Sequence, residues 1–291
     1  MPEHVASHYS VMLQESLEYL AIKPEGFYLD CTAGMGGHSK AMAERLTPAG
    51  RLIVNDRDSE SLEMAKRTLM DFVDRAEFQC APFSMLNESG LDGLLADLGT
   101  SRFQLTDPDR GFSLLQDGPL DMRMDQTRGM TAADLVNHSA ETAITDWIFQ
   151  YGQERRNARK IARAIYAARP LRSTLHLAGV VEGVVPRVGP IHPATRTFQA
   201  LRIVVNEEMK ELEALLNRAP RMVAPGGRIV MISFHSLEDV RVKDKFRDLQ
   251  RAGIARILTK KPVIPGDKEL RENAASRSAK LRAIEIVKTE V

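Results

Sequence analysis

The chain has 291 residues, 43% of them hydrophobic, and its 40 basic and 39 acidic side chains leave a net charge of +1. This is enough apolar mass for one large domain or two ordinary ones, and no apolar run approaches the ~20 residues of a membrane span. Residues 1–14 lack a signal-peptide core, and Cys31 and Cys80 lie in strand contexts without metal-ligand spacing. A cytoplasmic protein with reduced cysteines and no bound metal is therefore expected.

Residues 8–23 place Val11, Leu13, Leu17, Leu20 and Ile22 at helical spacing, which predicts an amphipathic helix. Next, Phe27-Tyr28-Leu29-Asp30 is an apolar run ending in an acid, followed by a loop with Gly34, Gly36 and Gly37 and a helical segment over 39–46. Strand, tight turn and helix start are the layout of a nucleotide-binding α/β unit. Glycine is expected there for a sharp turn and for close approach of a ligand. Ser39 stands where G-x-G-x-x-G needs its last glycine, so the loop suits a nucleoside-bearing cofactor more than NAD.

A second strand over 50–56 ends in Asp56, 20 residues past Gly36 (56 − 36), the distance at which such folds hold ribose hydroxyls. A cap for a helix over 59–72 is the plainer alternative for Asp56, and the matching spacing favours the ribose role. A third strand, 76–80, leads to Phe83, which suits stacking on an adenine ring or ordinary core packing. The fourth strand, 91–99, ends in Asp97 and Gly99. In a parallel sheet, Asp30, Asp56 and Asp97 would share one ligand-binding edge. Asp97 is the candidate catalytic residue, placed to accept from a cofactor amino group, from a substrate amine, or from both.

From 106 to 206 no strand is expected. Residues 107–128, rich in Asp, Arg, Gly and Pro, exceed a simple connection. A capping box opens at Thr131, and helices are predicted over 140–151, 153–168 and 174–185. Residues 153–172 carry Arg155, Arg156, Arg159, Lys160, Arg163, Arg169 and Arg172 against one acid, Glu154. Arg155, Arg159 and Arg163 at i, i+4 and i+8 predict a basic helical face for a polyanion. One long helix is expected from 192 to about 216, then the turn Pro225-Gly226-Gly227, a buried strand from Arg228 to Phe234, and a closing antiparallel pair over 255–262 and 279–288.

In this order, the motifs Gly36-Gly37-His38-Ser39, Asp56-Arg57-Asp58, Pro82-Phe83-Ser84, Asp97-Leu98-Gly99, Arg110-Gly111-Phe112-Ser113, residues 117–125, residues 192–199 and residues 233–239 span nearly the whole chain. The chain resembles the RsmH/MraW family of small-subunit ribosomal RNA (cytosine-N4) methyltransferases. The resemblance implies a Rossmann-like, class I S-adenosylmethionine-dependent α/β fold, with a methyltransferase domain over 1–105 and 207–291 and an all-α substrate domain inserted over 106–206. It implies S-adenosylmethionine contacts at Gly36, Gly37, His38, Asp56, Phe83, Asp97 and Gln104, to which the loop adds Gly34. Arg196 and His235, inside two of the motifs, join Arg155, Arg159 and Arg163 as substrate-binding candidates. The implied partner is small-subunit ribosomal RNA or the assembled small subunit, with no membrane, and a homodimer is left open.

Two departures stand out. Thr100-Ser101-Arg102-Phe103-Gln104 replaces the family's usual Val-Ser-Ser-Pro-Gln run, and the segment between Arg251 and Asp267 is shorter than in many relatives. The rival readings are a non-catalytic ribosome-assembly factor that retains the fold and, less favoured, a nicotinamide oxidoreductase. A DNA amino-methyltransferase is disfavoured because its Pro-Pro-aromatic signature is absent after the fourth strand.

Overall fold

In the computed structural model, which describes residues 10–288, strands β1 (Phe27–Asp30), β2 (Arg51–Asp56), β3 (Ala76–Cys80), β4 (Leu91–Asp97) and β5 (Val223–Ser233) run parallel. The readings placed on residues 1–9 lie outside the described residues. The central strands are apolar almost throughout because both faces of a parallel sheet are covered. Strands β6 (Ala255–Ile257) and β7 (Lys280–Ile286) pair antiparallel, and β7 inserts antiparallel beside β5. The order β3-β2-β1-β4-β5-β7-β6 reverses direction between β1 and β4, the switch point at which open α/β sheets hold ligands. This is the class I methyltransferase sheet expected from the sequence.

The helices follow in chain order. Helix α1 (Leu13–Leu20) is shorter than the apolar pattern because left-handed residues, Met12 and Ala21, bound it. Helix α2 (Gly37–Ala43) starts inside the glycine loop, and α3 (Ser59–Thr68) is capped by Asp58. Next come α4 (Arg102–Thr106), α5 (Ala132–His138), α6 (Glu141–Gln150), α7 (Ala158–Ala167), α8 (Thr174–Glu182) and α9 (Thr195–Val205). Helices α10 (Glu208–Met222), α11 (Ser236–Arg251) and α12 (Asp267–Glu272) complete the set. The chain divides into a sheet unit, up to Gly99 and from Glu211 onward, and a helical unit, Thr100–Lys210. No helix of the described residues is long and apolar enough to cross a membrane.

Three further elements differ from the sequence reading. The long helix expected to about residue 216 is two helices, α9 and α10. Asn206 ends α9 by giving its amide to backbone: Nδ2 donates to Met122 O (2.7 Å) and Oδ1 accepts from Met124 N (2.8 Å), and Glu207 turns left-handed. An apolar stripe cannot reveal such a break, since the stripe resumes in α10. The strand expected to start at Arg228 begins at Val223, with Pro225-Gly226-Gly227 as a bulge that shifts its register against β4.

The expected helical run 153–168 is the third. Helix α7 starts only at Ala158 because Glu154 Oε1 accepts the N–H groups of Arg156 (3.1 Å) and Asn157 (3.0 Å) in a preceding turn. Arg155 therefore lies before the helix, and only Arg159 and Arg163 share its exposed face, opposite the buried Ala158, Ile161, Ala162 and Ile165.

The long connection 107–128 is ordered by its own chemistry. Buried Arg110 donates to Arg123 O (3.0 Å) and Met124 O (2.9 Å), Asp121 pairs with Arg123 (2.8 Å), and Phe112, Leu120, Met122 and Met124 enter the helical unit's core. The unusual Arg102 and Phe103 lie on α4, where Ser101 and Gln104 form a reciprocal capping box and Arg110 stacks 5.7 Å from the Phe103 ring centroid.

Candidate active site

Sheet register sets the strand-terminal acids side by side. Asp30 of β1 registers with Val54 of β2 and Leu95 of β4, so Asp56 and Asp97 stand two residues further out on either flank. The three carboxyls have different surroundings.

Asp30 is fully buried and structural. Its Oδ2 accepts from Ser39 Oγ (2.6 Å) and its Oδ1 from Thr32 N (3.1 Å), fastening the first turn of α2 to the sheet. Burial pushes its carboxyl up, partly offset by His38 and Ser39.

Asp56 braces the glycine loop. Oδ2 accepts from Gly34 N (2.8 Å) and Oδ1 from Asp58 N (2.9 Å). Burial raises its pKa from 3.8 to about 7, against the pull of those two N–H groups. The helix-cap role weighed for Asp56 belongs instead to Asp58, whose Oδ1 accepts from Glu60 N (3.0 Å) and Ser61 N (3.4 Å). Each oxygen of Asp56 keeps a lone pair for a hydroxyl donor.

Asp97 is held through its backbone, Asp97 N donating to Thr32 Oγ1 (2.7 Å). Its Oδ2 lies 3.8 Å from His38 Nδ1, too far for a hydrogen bond, and its Oδ1 is buried without any partner among the described residues. Burial pushes this carboxyl well above its ordinary range, and the charges of Asp30, Glu238 and Glu269 push the same way. A buried acceptor with nothing to accept is the signature of a ligand site.

His38 is also committed. Nε2 sits 3.0 Å from Val11 O, which can only accept, so Nε2 carries the proton. Burial lowers the ring's pKa against the attraction of Asp30 and the Val11 bond, and a neutral ring turns its Nδ1 lone pair toward Asp97. The imidazole expected to touch cofactor thus spans Val11 and Asp97.

The loop glycines answer to the protein itself. Gly36 has φ 88°, and a Cβ there would lie 2.9 Å from Leu69 Cδ1 and 3.0 Å from the Ala65 Cα, both at α3. A Cβ on Gly37 would strike Ser10 Oγ. Close packing against α3 and a left-handed backbone therefore require glycine at 36, beside the ligand approach expected of the loop, while at Gly37 a side chain would have to displace Ser10 Oγ. Gly36→Ala should cost ~1–2 kcal/mol for the left-handed backbone and ~1–3 for the collision. Urea unfolding of that variant should show the loss, and wild-type stability would contradict the packing assignment.

The remaining wall comes from neighbouring strand ends. Buried Asn55 donates to Cys31 O (3.0 Å) and Ala81 O (3.1 Å), tying the ends of β1 and β3 to β2. Phe83 opens a 3-10 turn after β3 and is half-buried. Leu98 N donates to Ile232 O (2.9 Å), and Phe234 flanks Gly99. His235 caps α11, with Nδ1 accepting from Glu238 N (3.4 Å) and its own backbone N–H donating to Glu238 Oε2 (3.3 Å). The cap engages the histidine's backbone N–H and Nδ1, and Nε2 of the ring expected to bind substrate stays without a hydrogen-bond partner among the described residues.

The helical unit holds the other expected residues. Gln104 is buried and accepts from Ser101 N (3.0 Å). Arg155, Arg159 and Arg163 are exposed, Arg163 lying 3.8 Å from Glu141. Arg196 donates to Glu154 Oε2 (3.0 Å), so one acid both caps the α7 turn and pins this arginine.

The sequence reading missed Thr32, Asn55, Glu238 and the Val11–His38 bond. Glu238 was within reach, standing three residues after His235 in a box pattern; the others act through backbone atoms or across strands and leave no periodic signal.

A family model described as the MraW methylase family matches residues 5–287. The ribosomal RNA small subunit methyltransferase H of Solibacter usitatus is 56% identical over 286 residues, covering 96% of this chain and 99% of that one. Proteins of the same name from Koribacter versatilis and Thermotoga neapolitana are 48% and 46% identical, covering 95% and 99% of this chain. With this coverage, and with the strand order and the strand-end acids already in place, the chain belongs to the MraW methylase family.

Proposed function

We propose that the chain transfers a methyl group from S-adenosylmethionine to the exocyclic N4 amine of a cytidine in small-subunit ribosomal RNA. The observation that carries this reading is Asp97: a buried, unpartnered carboxylate oxygen at the switch point of a methyltransferase sheet. S-adenosylmethionine, when bound, supplies a methyl group already activated on a sulfonium. The buried acids at this edge fit such a cation, because a nearby positive charge restores the ionised form that burial disfavours.

The protein's own work is then positioning and proton handling. Asp56 accepts from ribose hydroxyls while bracing Gly34, so ligand and loop share one carboxylate. Gly34, Gly36 and Gly37 shape the cradle, Phe83 supplies an aromatic face, and Gln104 completes the set by family resemblance. Asp97 accepts from the target amine; drawing on that N–H localises a lone pair otherwise delocalised into the cytosine ring. As the nitrogen gains its methyl and loses a proton, Asp97 Oδ1 takes up the proton. His38, fixed by Val11 O, places its ring beside Asp97 Oδ2 and leaves Oδ1 to the ligand side. His235 and the Glu238 that it caps line the β5 side of the same edge.

The helical unit is the substrate-binding domain, and its exposed arginines hold RNA backbone while the pocket reads the base. Changing Arg155, Arg159 and Arg163 to Gln should weaken RNA binding and reduce the salt slope by roughly 0.7 for each single-strand phosphate that is no longer neutralised. Cofactor binding should not change. A salt slope equal to wild type would leave these arginines as solvated surface.

Transfer of labelled methyl to small subunits or their RNA, followed by mapping of the modified nucleotide, tests the whole reading. A non-catalytic assembly factor would bind the subunit and leave no label, and label on anything but cytidine N4 would overturn the assigned substrate.

A further inference from the structure

Surface cations of the sheet unit are repeatedly tied to carboxylates: Lys23 to Asp92, Arg51 to Glu77, Lys66 to Glu63, Arg251 to Asp248 and Arg256 to Glu285. Cations without such a tie occur singly elsewhere in the unit, as at Lys40, Arg67 and Arg247, and residues 260–278 gather five of them. Lys260, Lys261, Lys268, Arg271 and Arg277 are all exposed. Among the described residues none of the five forms an ion pair or a side-chain hydrogen bond. The acids of the stretch do not balance them. Glu269 is turned inward, accepting from Met12 N (2.9 Å), which leaves Asp267 and Glu272 exposed against five cations.

The stretch is ordered and lies at the ligand edge. Val263 and Leu281 exchange backbone hydrogen bonds of 3.0 and 2.9 Å, fixing its entry beside β7. Its exit is a 3-10 turn, Ala274–Ser278, capped by Asn273 and closed by the buried Ser276. Lys280 then registers with Ser233, the last residue of β5, while Ile232 registers with Asp97. The stretch therefore stands past the carboxyl ends of β4 and β5. On its inner side Glu269 holds Met12, next to Val11, whose carbonyl holds His38.

We propose that residues 260–278 form a phosphate clamp on the sheet unit, gripping the RNA backbone beside the target nucleotide. It would act separately from the arginines of the helical unit. This rests on the RNA reading above. A base presented to this edge brings its own flanking phosphates, so the polyanion next to the site is the strand that carries the base. An acidic protein would have to reach the edge by a separate route. Because backbone hydrogen bonds already fix the entry and exit of the stretch, little backbone ordering is left for binding to impose.

The test compares wild type with the quadruple variant Lys260→Gln, Lys261→Gln, Arg271→Gln and Arg277→Gln, using single-stranded RNA containing the mapped cytidine and intact small subunits. The slope of log affinity against log salt should shrink by roughly 0.7 for each phosphate released from the clamp. Cofactor affinity and melting temperature should hold, and exchanging the same residues between Lys and Arg should restore the slope. A slope equal to wild type on both substrates would overturn the clamp, as would a loss confined to intact subunits, which would point to an acidic protein. Wild type that methylates neither substrate would instead indict the RNA reading.

Discussion

Asp97→Asn is expected to slow single-turnover methyl transfer by about 10²–10⁴-fold, the usual worth of a positioned proton acceptor, while cofactor affinity moves far less. The asparagine keeps the size and one acceptor but cannot hold the proton that the amine releases. Rapid-quench transfer to small subunits, read beside calorimetric cofactor titration, separates the two effects. A near-normal single-turnover rate would remove Asp97 from the chemistry. The same substitution should stabilise the cofactor-free protein at neutral pH. A carboxyl raised by burial keeps its proton in the folded state when the unfolded chain has lost it, so stability falls as pH rises above 3.8. Asparagine carries no such linkage, and its melting temperature should exceed that of wild type.

Asp56→Ala should weaken S-adenosylmethionine binding by ~1.5–3 kcal/mol, about 10–150-fold, for the loss of charge-assisted hydrogen bonds to ribose. It also removes the acceptor for Gly34 N and Asp58 N. Wild type adds a pH signature that the variant lacks. The carboxyl titrates at about 7 without ligand, and ribose hydroxyls favour its ionised form. Cofactor affinity should therefore fall as pH drops from 8 to 6, and the Asp56→Ala profile should be flatter. Isothermal titration across that range decides it: wild-type affinity in the variant would refute the ribose role, and a pH-independent wild type would refute the raised carboxyl.

The sheet was legible in the sequence because its strands are short apolar runs closed by acids and glycines, a pattern that local chemistry imposes on parallel strands covered on both faces. The capping box at Thr131 and the closing antiparallel pair were legible for the same reason, since their determinants lie within a few residues. Identity was legible too, through motifs spread over nearly the whole chain. Where a helix broke was hidden: Asn206 interrupts an apolar stripe for the sake of backbone groups 82 and 84 residues away.

The division of labour among the three acids was equally hidden. All end strands at one edge, yet Asp30 is absorbed by Ser39 and Thr32, Asp56 shares its oxygens with Gly34 N and Asp58 N, and of the three only Asp97 is left with an unpartnered oxygen. Gly36 and Gly37 likewise looked like room for a ligand, and the fold adds a second demand on them, room for α3 and for residue 10. Sequence by itself determined which residue types stand at the edge of the sheet, because strand and turn formation are local. Only tertiary structure decided which of them stay available for chemistry, because a hydrogen bond or a collision depends on whatever the rest of the chain brings within 3 or 4 Å.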